Sequence, residues 1–239
     1  MKPFLLLVFL LVSSASNAGE LDDRLEELGF FLSTPPSDYS KPMRTFGVSL
    51  EDGKLVVIES ERGKNGLQKT IKIGGNRFDA VDQGEWGGSL LVTRADGSKN
   101  SLTQENTKGF LQYAGKLYAL TGLAHMGIDT GALYRIDSPD SVPRLSVVTL
   151  LPGATMGTTQ DDAHIYVVTS GDLVAVALDE NGPWGPALEV IALRDIWNGF
   201  YPTSLVKKGN QFAIGMRFGV VVVDWEPMRQ KSSIRFYSK

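Results

Sequence analysis

The chain has no cysteine and only two histidines, and no apolar run approaches the roughly 20 residues that cross a bilayer as a helix. The first absence excludes a disulfide scaffold, a thiolate nucleophile and a thiolate metal site. The second excludes a histidine-rich zinc centre, since His125 and His164 stand at no metal-ligand spacing. Charge of one sign is scarce as well: 24 basic and 27 acidic side chains leave a net charge of −3. Nucleic acid and anionic membrane surfaces call for a basic footprint that this chain lacks. The sequence contains no Gly-x-Ser-x-Gly elbow, no phosphate-cradling Gly-Lys-Ser/Thr loop and no EF-hand loop. Neither a metal nor a cofactor is expected.

What is present begins with a leader. Lys2 precedes an uninterrupted apolar run over residues 4–12, and Ser16, Asn17 and Ala18 supply the small residues a signal peptidase reads. Residues 1–18 are therefore read as an export signal, a buried N-terminal strand being the competing reading. No cysteine follows the run to carry a lipid anchor. The mature chain is expected in the periplasm or secreted, without a membrane span and as a monomer. Lacking disulfides, it must hold itself together by burial, and its length suffices for a sizeable core.

Residues 19–44 read as a short helix and a connection. Leu21, Leu25 and Leu28 recur at helical spacing with Asp22, Asp23, Glu26 and Glu27 on other faces, and acidic residues suit a helix start. Gly29 stops the helix, and Pro35, Pro36 and Pro42 enforce an extended path. From Phe46 onward the period becomes two. An Asp52-Gly53 pair between alternating runs marks a hairpin over residues 46–60, and residues 68–73 form another strand.

Four strand–turn–strand modules follow, starting at Gly75, Gly115, Asp162 and Gly209, with intervals of 40, 47 and 47 residues. That recurrence suits a four-stranded propeller blade of about 40–50 residues. Residues 144–151 and 188–193 supply outer strands, and residues 233–237 are the candidate for an end strand that pairs with the other terminus. With the 46–60 hairpin counted, residues 45–239 are predicted to be one all-β domain, a β-propeller of about five blades. A two-sheet sandwich also shows short strands at regular spacing, but it does not require self-similarity at this period.

These hairpins resemble those of the β-propeller superfamily in general. Residues 171–184 resemble one repeat of the quinoprotein type, in which a strand ends in Asp179, turns at Gly182 and anchors the next strand with Trp184. No other module carries a Trp in that place, so a bound quinone is not implied. The Trp-Asp ending of WD40 blades and the regular Gly-Gly pairs of kelch blades are missing. The resemblance implies an architecture and no specific family.

A propeller carries its function on loops at one face. Three connections are predicted to project there: residues 82–88, 121–130 and 215–219. Asp82, Glu85, His125, Asp129 and Arg217 would converge, and Asp82, Glu85 and His125 are the candidates for acid–base chemistry. Asp and Gly are also ordinary turn residues. Trp86, His125, Asp129 and Arg217 are the candidate ligand contacts. Trp184 and Trp197 read as staples between blades, whereas Trp86, set between Glu85 and two glycines, suits an exposed contact.

Two functions follow as expectations. The first is a binding module whose loop face recognises a protein or a glycan. The second is a hydrolase or lyase acting on a glycan or peptide, with Glu85 and Asp82 as acid and base and His125 assisting.

Overall fold

The computed structural model describes residues 19–36, 44–59, 66–178, 187–192 and 199–239. The leader, Pro42, the turn residues 62–65, Trp184, Trp197 and most of the quinoprotein-like repeat beyond Leu178 lie outside the described residues. The single α-helix among them, α1 (Glu20–Glu27), starts after Gly19 with Glu20, Asp22 and Asp23 in its first turn and buries Leu21 and Leu25. Gly29 follows at φ +81, a conformation that terminates helices at little cost only for glycine.

Everything else regular is antiparallel β or a 3-10 turn, arranged as five small sheets rather than two. A short strand that the sequence reading missed, β1 (Phe31–Ser33), follows the helix. A two-stranded sheet comes first, β2 (Phe46–Glu51) with β3 (Lys54–Glu59), turning at Asp52-Gly53 as expected. The second sheet is β4 (Thr70–Ile73), β5 (Asn76–Asp82), β6 (Gly88–Thr93) and β7 (Lys99–Thr103). The third is β8 (Thr107–Tyr113), β9 (Lys116–His125), β10 (Ile128–Asp137) and β11 (Arg144–Leu151). The fourth is β12 (Thr155–Gln160), β13 (His164–Thr169), β14 (Leu173–Ala177) and β15 (Ala187–Ala192). The fifth is β16 (Ser204–Lys208), β17 (Gln211–Met216), β18 (Gly219–Glu226) and β19 (Lys231–Ser238), with β1 added to the edge of β19. The recurring modules of the sequence are thus the middle hairpins β5–β6, β9–β10, β13–β14 and β17–β18.

Four apolar clusters lie between successive sheets. Phe78, Leu90 and Val92 meet Phe110, Leu117 and Ala119 between the second and third. Tyr118, Leu120 and Leu133 meet Ile165, Val167 and Val174 between the third and fourth. Tyr166, Val168 and Leu173 meet Phe212, Ile214 and Met216 between the fourth and fifth. Leu21, Leu25, Phe46 and Val48 meet Ala213, Val220 and Val222 between the fifth and first. A strand sandwiched between two cores is apolar at nearly every position, which accounts for the unbroken burial of β17, where only Gln211 at its start is polar, and of most of β18. Among the described residues no such cluster joins the first sheet to the second.

An ion-pair network ties α1 to the last sheet. Arg235 reaches both Asp22, at 2.7 Å, and Asp224, and Gln211 Nε2 donates to Asp22 at 3.0 Å and Asp224 at 2.7 Å. Tyr237 donates its hydroxyl to Asp22 at 2.5 Å. Burial opposes ionisation of Asp22, but these donors outweigh it and hold the carboxyl below its ordinary value. No helix among the described residues is long and apolar enough to cross a membrane.

Candidate functional site

Of the three connections singled out in the sequence, residues 82–88 and 121–130 touch each other, while residues 215–219 reach them by way of Tyr201; two of the three are shorter than expected. Strands β9 and β10 run on through residues read as loop and close in a two-residue turn, His125 pairing with Ile128. Met126 at φ +47 and Gly127 at φ +85 make that turn, the left-handed pair that matches strand twist. Likewise Met216 pairs with Gly219, leaving Arg217 and Phe218 as the turn. Only the β5–β6 connection is long, and it holds a 3-10 turn, Gly84–Trp86.

Asn106 shapes that connection. Its side-chain amide donates to the carbonyl of Gly84 at 2.7 Å, and its Oδ1 accepts from the Gln83 amide at 3.2 Å. A Cβ at position 88 would stand 2.5 Å from Asn106 Cα and 2.6 Å from the Val81 carbonyl, so only glycine permits this approach. Asp82 is consumed locally: it accepts from the Gly84 amide at 3.2 Å and pairs with Lys108 at 2.8 Å. Glu85 is delivered instead to the β9–β10 turn, where its Oε2 lies 2.6 Å from His125 Nε2.

Glu85 and Gly87 line a pocket of about 450 Å³ with Glu105, Thr121, Tyr134 and Leu150 among its walls. Glu105 accepts from Thr121 Oγ1 at 2.7 Å and from the Tyr134 hydroxyl at 2.6 Å. Burial, and then the Glu105 carboxylate, push the Tyr134 hydroxyl up to about 12, so it remains protonated and donating. Sequence reading missed Glu105 and Tyr134 and took Thr121 only as the first residue of the 121–130 connection. Glu105 sits in the connection between the second and third sheets, and Thr121 and Tyr134 are positions within β9 and β10, so no local pattern marked them as a group.

A second pocket of about 300 Å³ adjoins the other side of the β9–β10 turn, lined by Met126, Ile128, Asp129, Met156, Ser170 and Tyr201 among others. Asp129 Oδ1 accepts from the Ala154 amide at 2.8 Å and Ser170 Oγ at 2.5 Å, which fixes the start of β10 on the fourth sheet. Arg217 lies 3.9 Å from the ring centroid of Tyr201, a stacking distance for guanidinium on an aromatic face. Around these groups Trp86 is 82% exposed and Met126 89%. Asp82 is thus apart from both pocket linings, whereas Glu85 touches His125, His125 and Asp129 line the second pocket with Tyr201, and Arg217 stacks on Tyr201 from outside that lining.

The second histidine is at the opposite end. Asp161 caps the turn before His164, accepting from the Ala163 amide at 3.0 Å and the His164 amide at 2.9 Å, turn chemistry as its sequence context suggests. Tyr166 and Lys207 also bind this carboxylate, at 2.8 and 3.0 Å. Among the described residues no group of three or more His, Cys, Asp or Glu side chains is arranged to hold a metal ion. No protein-family model and no curated protein sequence matches this chain.

Proposed function

We propose that this protein is an exported recognition module, with its five sheets as the blades of a β-propeller, whose loop face binds a protein or a glycan. One observation carries the reading: Glu85–His125 joins the β5–β6 connection to the β9–β10 turn, and that turn lines a second pocket with Tyr201, on which Arg217 of the β17–β18 turn stacks, with Trp86 and Met126 largely exposed. Aromatic, Met and Arg side chains are the types enriched where proteins bind ligands and partners, and the rigid strands beneath fix their positions. Replacing Trp86 and Arg217 by alanine should abolish recovery of a stoichiometric ligand from cell envelope or medium while leaving the melting transition intact. Undiminished recovery by the double variant would overturn the reading.

A hydrolase or lyase acting on a glycan or peptide is the second reading, and the pairing of Glu85 with His125 beside a pocket that also holds Glu105 favours it. With Asp82 bound to Lys108, Glu105 takes the place of the second carboxylate. This reading expects turnover that falls at least about a hundredfold in both Glu85→Gln and Glu105→Gln, the range for loss of a general acid or base. Full turnover in either variant would sink it.

A further inference from the structure

We infer that the pocket beside Glu85 is a carbohydrate site that takes a neutral or amino-bearing sugar ring and rejects uronic and other acidic sugars. The inference rests on the recognition reading and names the ligand class for this part of the face.

The pocket's size, about 450 Å³, falls within the range of roughly 300–1,000 Å³ typical of small-molecule sites. A protein partner would instead need a broad contact surface. Its walls are largely apolar surface on which several hydrogen-bonding residues are placed: the acids Glu85 and Glu105, the hydroxyl residues Thr121, Thr130 and Tyr134, and the amide Gln104. A sugar ring presents vicinal hydroxyls, each a donor and an acceptor, and a carboxylate can accept from two of them at once.

Both carboxylates are already oriented. Thr121 and Tyr134 each donate one hydrogen bond to Glu105, one to each oxygen, and a carboxylate has about four acceptor sites, so two remain for a ligand. His125 holds Glu85 from the side of the β9–β10 turn. Side chains fixed in advance lose little freedom when the ligand arrives. Leu123, Ala132 and Leu150 supply apolar wall for the C–H face of a ring. Trp86 lies between two lining residues, Glu85 and Gly87, with its indole largely exposed, available to stack on a following ring of an oligosaccharide.

Charge sets the selectivity. Among the described residues no lysine or arginine lines the pocket, so an acidic sugar would bring a third carboxylate to two that are already present, and like charges at short range are strongly unfavourable. A neutral hydroxyl or an ammonium group meets no such penalty.

The test is a glycan array of neutral, amino-sugar and uronic-acid oligosaccharides probed with the mature chain, followed by titration calorimetry with the neutral oligosaccharide that gives the strongest signal. Binding to neutral or amino-sugar members, weakened about tenfold or more in Glu105→Gln and in Tyr134→Phe with unchanged melting, is expected from loss of positioned hydrogen bonds. Tyr134→Phe removes only a hydroxyl and keeps the ring, so it serves if Glu105→Gln unfolds. Binding to acidic glycans alone, or binding to neutral ones unaffected by both variants, would overturn the inference. An array without signal would also overturn it. If the Trp86- and Arg217-dependent recovery then yields a protein, the recognition reading stands and only its carbohydrate form fails; if that recovery fails too, both fall.

Discussion

His125 Nε2 lies 2.6 Å from Glu85 Oε2, joining a turn of the third sheet to the 3-10 segment of the second. Both side chains are about two-fifths exposed, and exposed pairs of this kind contribute roughly 0.2–1 kcal/mol to stability. The contact should therefore matter to the site more than to the fold. A double-mutant cycle of Glu85→Gln and His125→Ala is expected to give a folding coupling below about 1 kcal/mol, measured by urea denaturation. A coupling several times larger would mean that the pair holds the two sheets together.

Gly88 provides a separate handle on the same loop. Substitution by alanine would drive a methyl group into Asn106 and the Val81 carbonyl and displace the segment bearing Glu85 and Trp86. Gly88→Ala is expected to destabilise by about 1–3 kcal/mol, the usual cost of forcing extra volume into a packed contact, and to weaken ligand binding beyond that of Gly97→Ala, which loses stability through its left-handed backbone at φ +83 while its Cβ meets nothing within 4 Å. Thermal melts and binding titrations on both variants check this.

The latch on α1 is the strongest ionic feature of the described chain. Asp22 and Asp224 share Arg235, and removing the guanidinium would leave two partly buried carboxylates facing each other. Arg235→Leu is expected to cost about 3–5 kcal/mol, as for a broken buried pair, with loss of helix signal preceding global unfolding. Asp22→Asn, which retains the shape, should cost less.

Acid should unfold the protein through these same groups. Burial opposes ionisation of Asp224 and Asp161, yet Arg235, Gln211 and Ser233 in one case, and Tyr166, Lys207 and the turn amides in the other, bring each to about 2 from an ordinary 3.8. A carboxyl whose folded value lies below its unfolded value contributes stability that is fully present above the unfolded value and is lost as pH falls through the folded one. Stability should therefore be flat above about pH 5 and decline between about pH 4 and 2. In Asp224→Asn the decline should be shallower, measured by denaturant midpoints across that range. An unchanged slope would show that Asp224 is not held in its charged form.

The sheets were legible because burial on two faces writes long apolar runs with period-two breaks at Asp-Gly, Asn and Gly. Residues 144–151 became β11 without adjustment. The first module was read as a possible blade but has only two strands, since no alternating partner runs lie beside it in the described chain. Strand β1 escaped notice because three residues pairing with a distant β19 leave no local period. At the site, Glu85 and His125 were legible as polar residues in Gly-rich connections. Met126-Gly127 was not recognised as a two-residue turn, because methionine rarely occupies a left-handed position and the neighbouring polar residues looked like loop. Asp82 was assigned to the chemistry by proximity in sequence, whereas the adjacent Lys108 draws it away.

Ligands are expected to bind the end of the molecule bearing the β9–β10 turn. Met126 marks that end, and the turn before His164 marks the other, where Tyr113, at the far end of β8, donates to the Asp162 carbonyl at 2.9 Å. A photo-reactive diazirine side chain should be placed at Met126 in one protein and at Asp162 in another, and both irradiated in the native envelope or medium. Covalent adducts with a protein or glycan from position 126, and none from position 162, are the expected result; adducts only from position 162 would contradict the account.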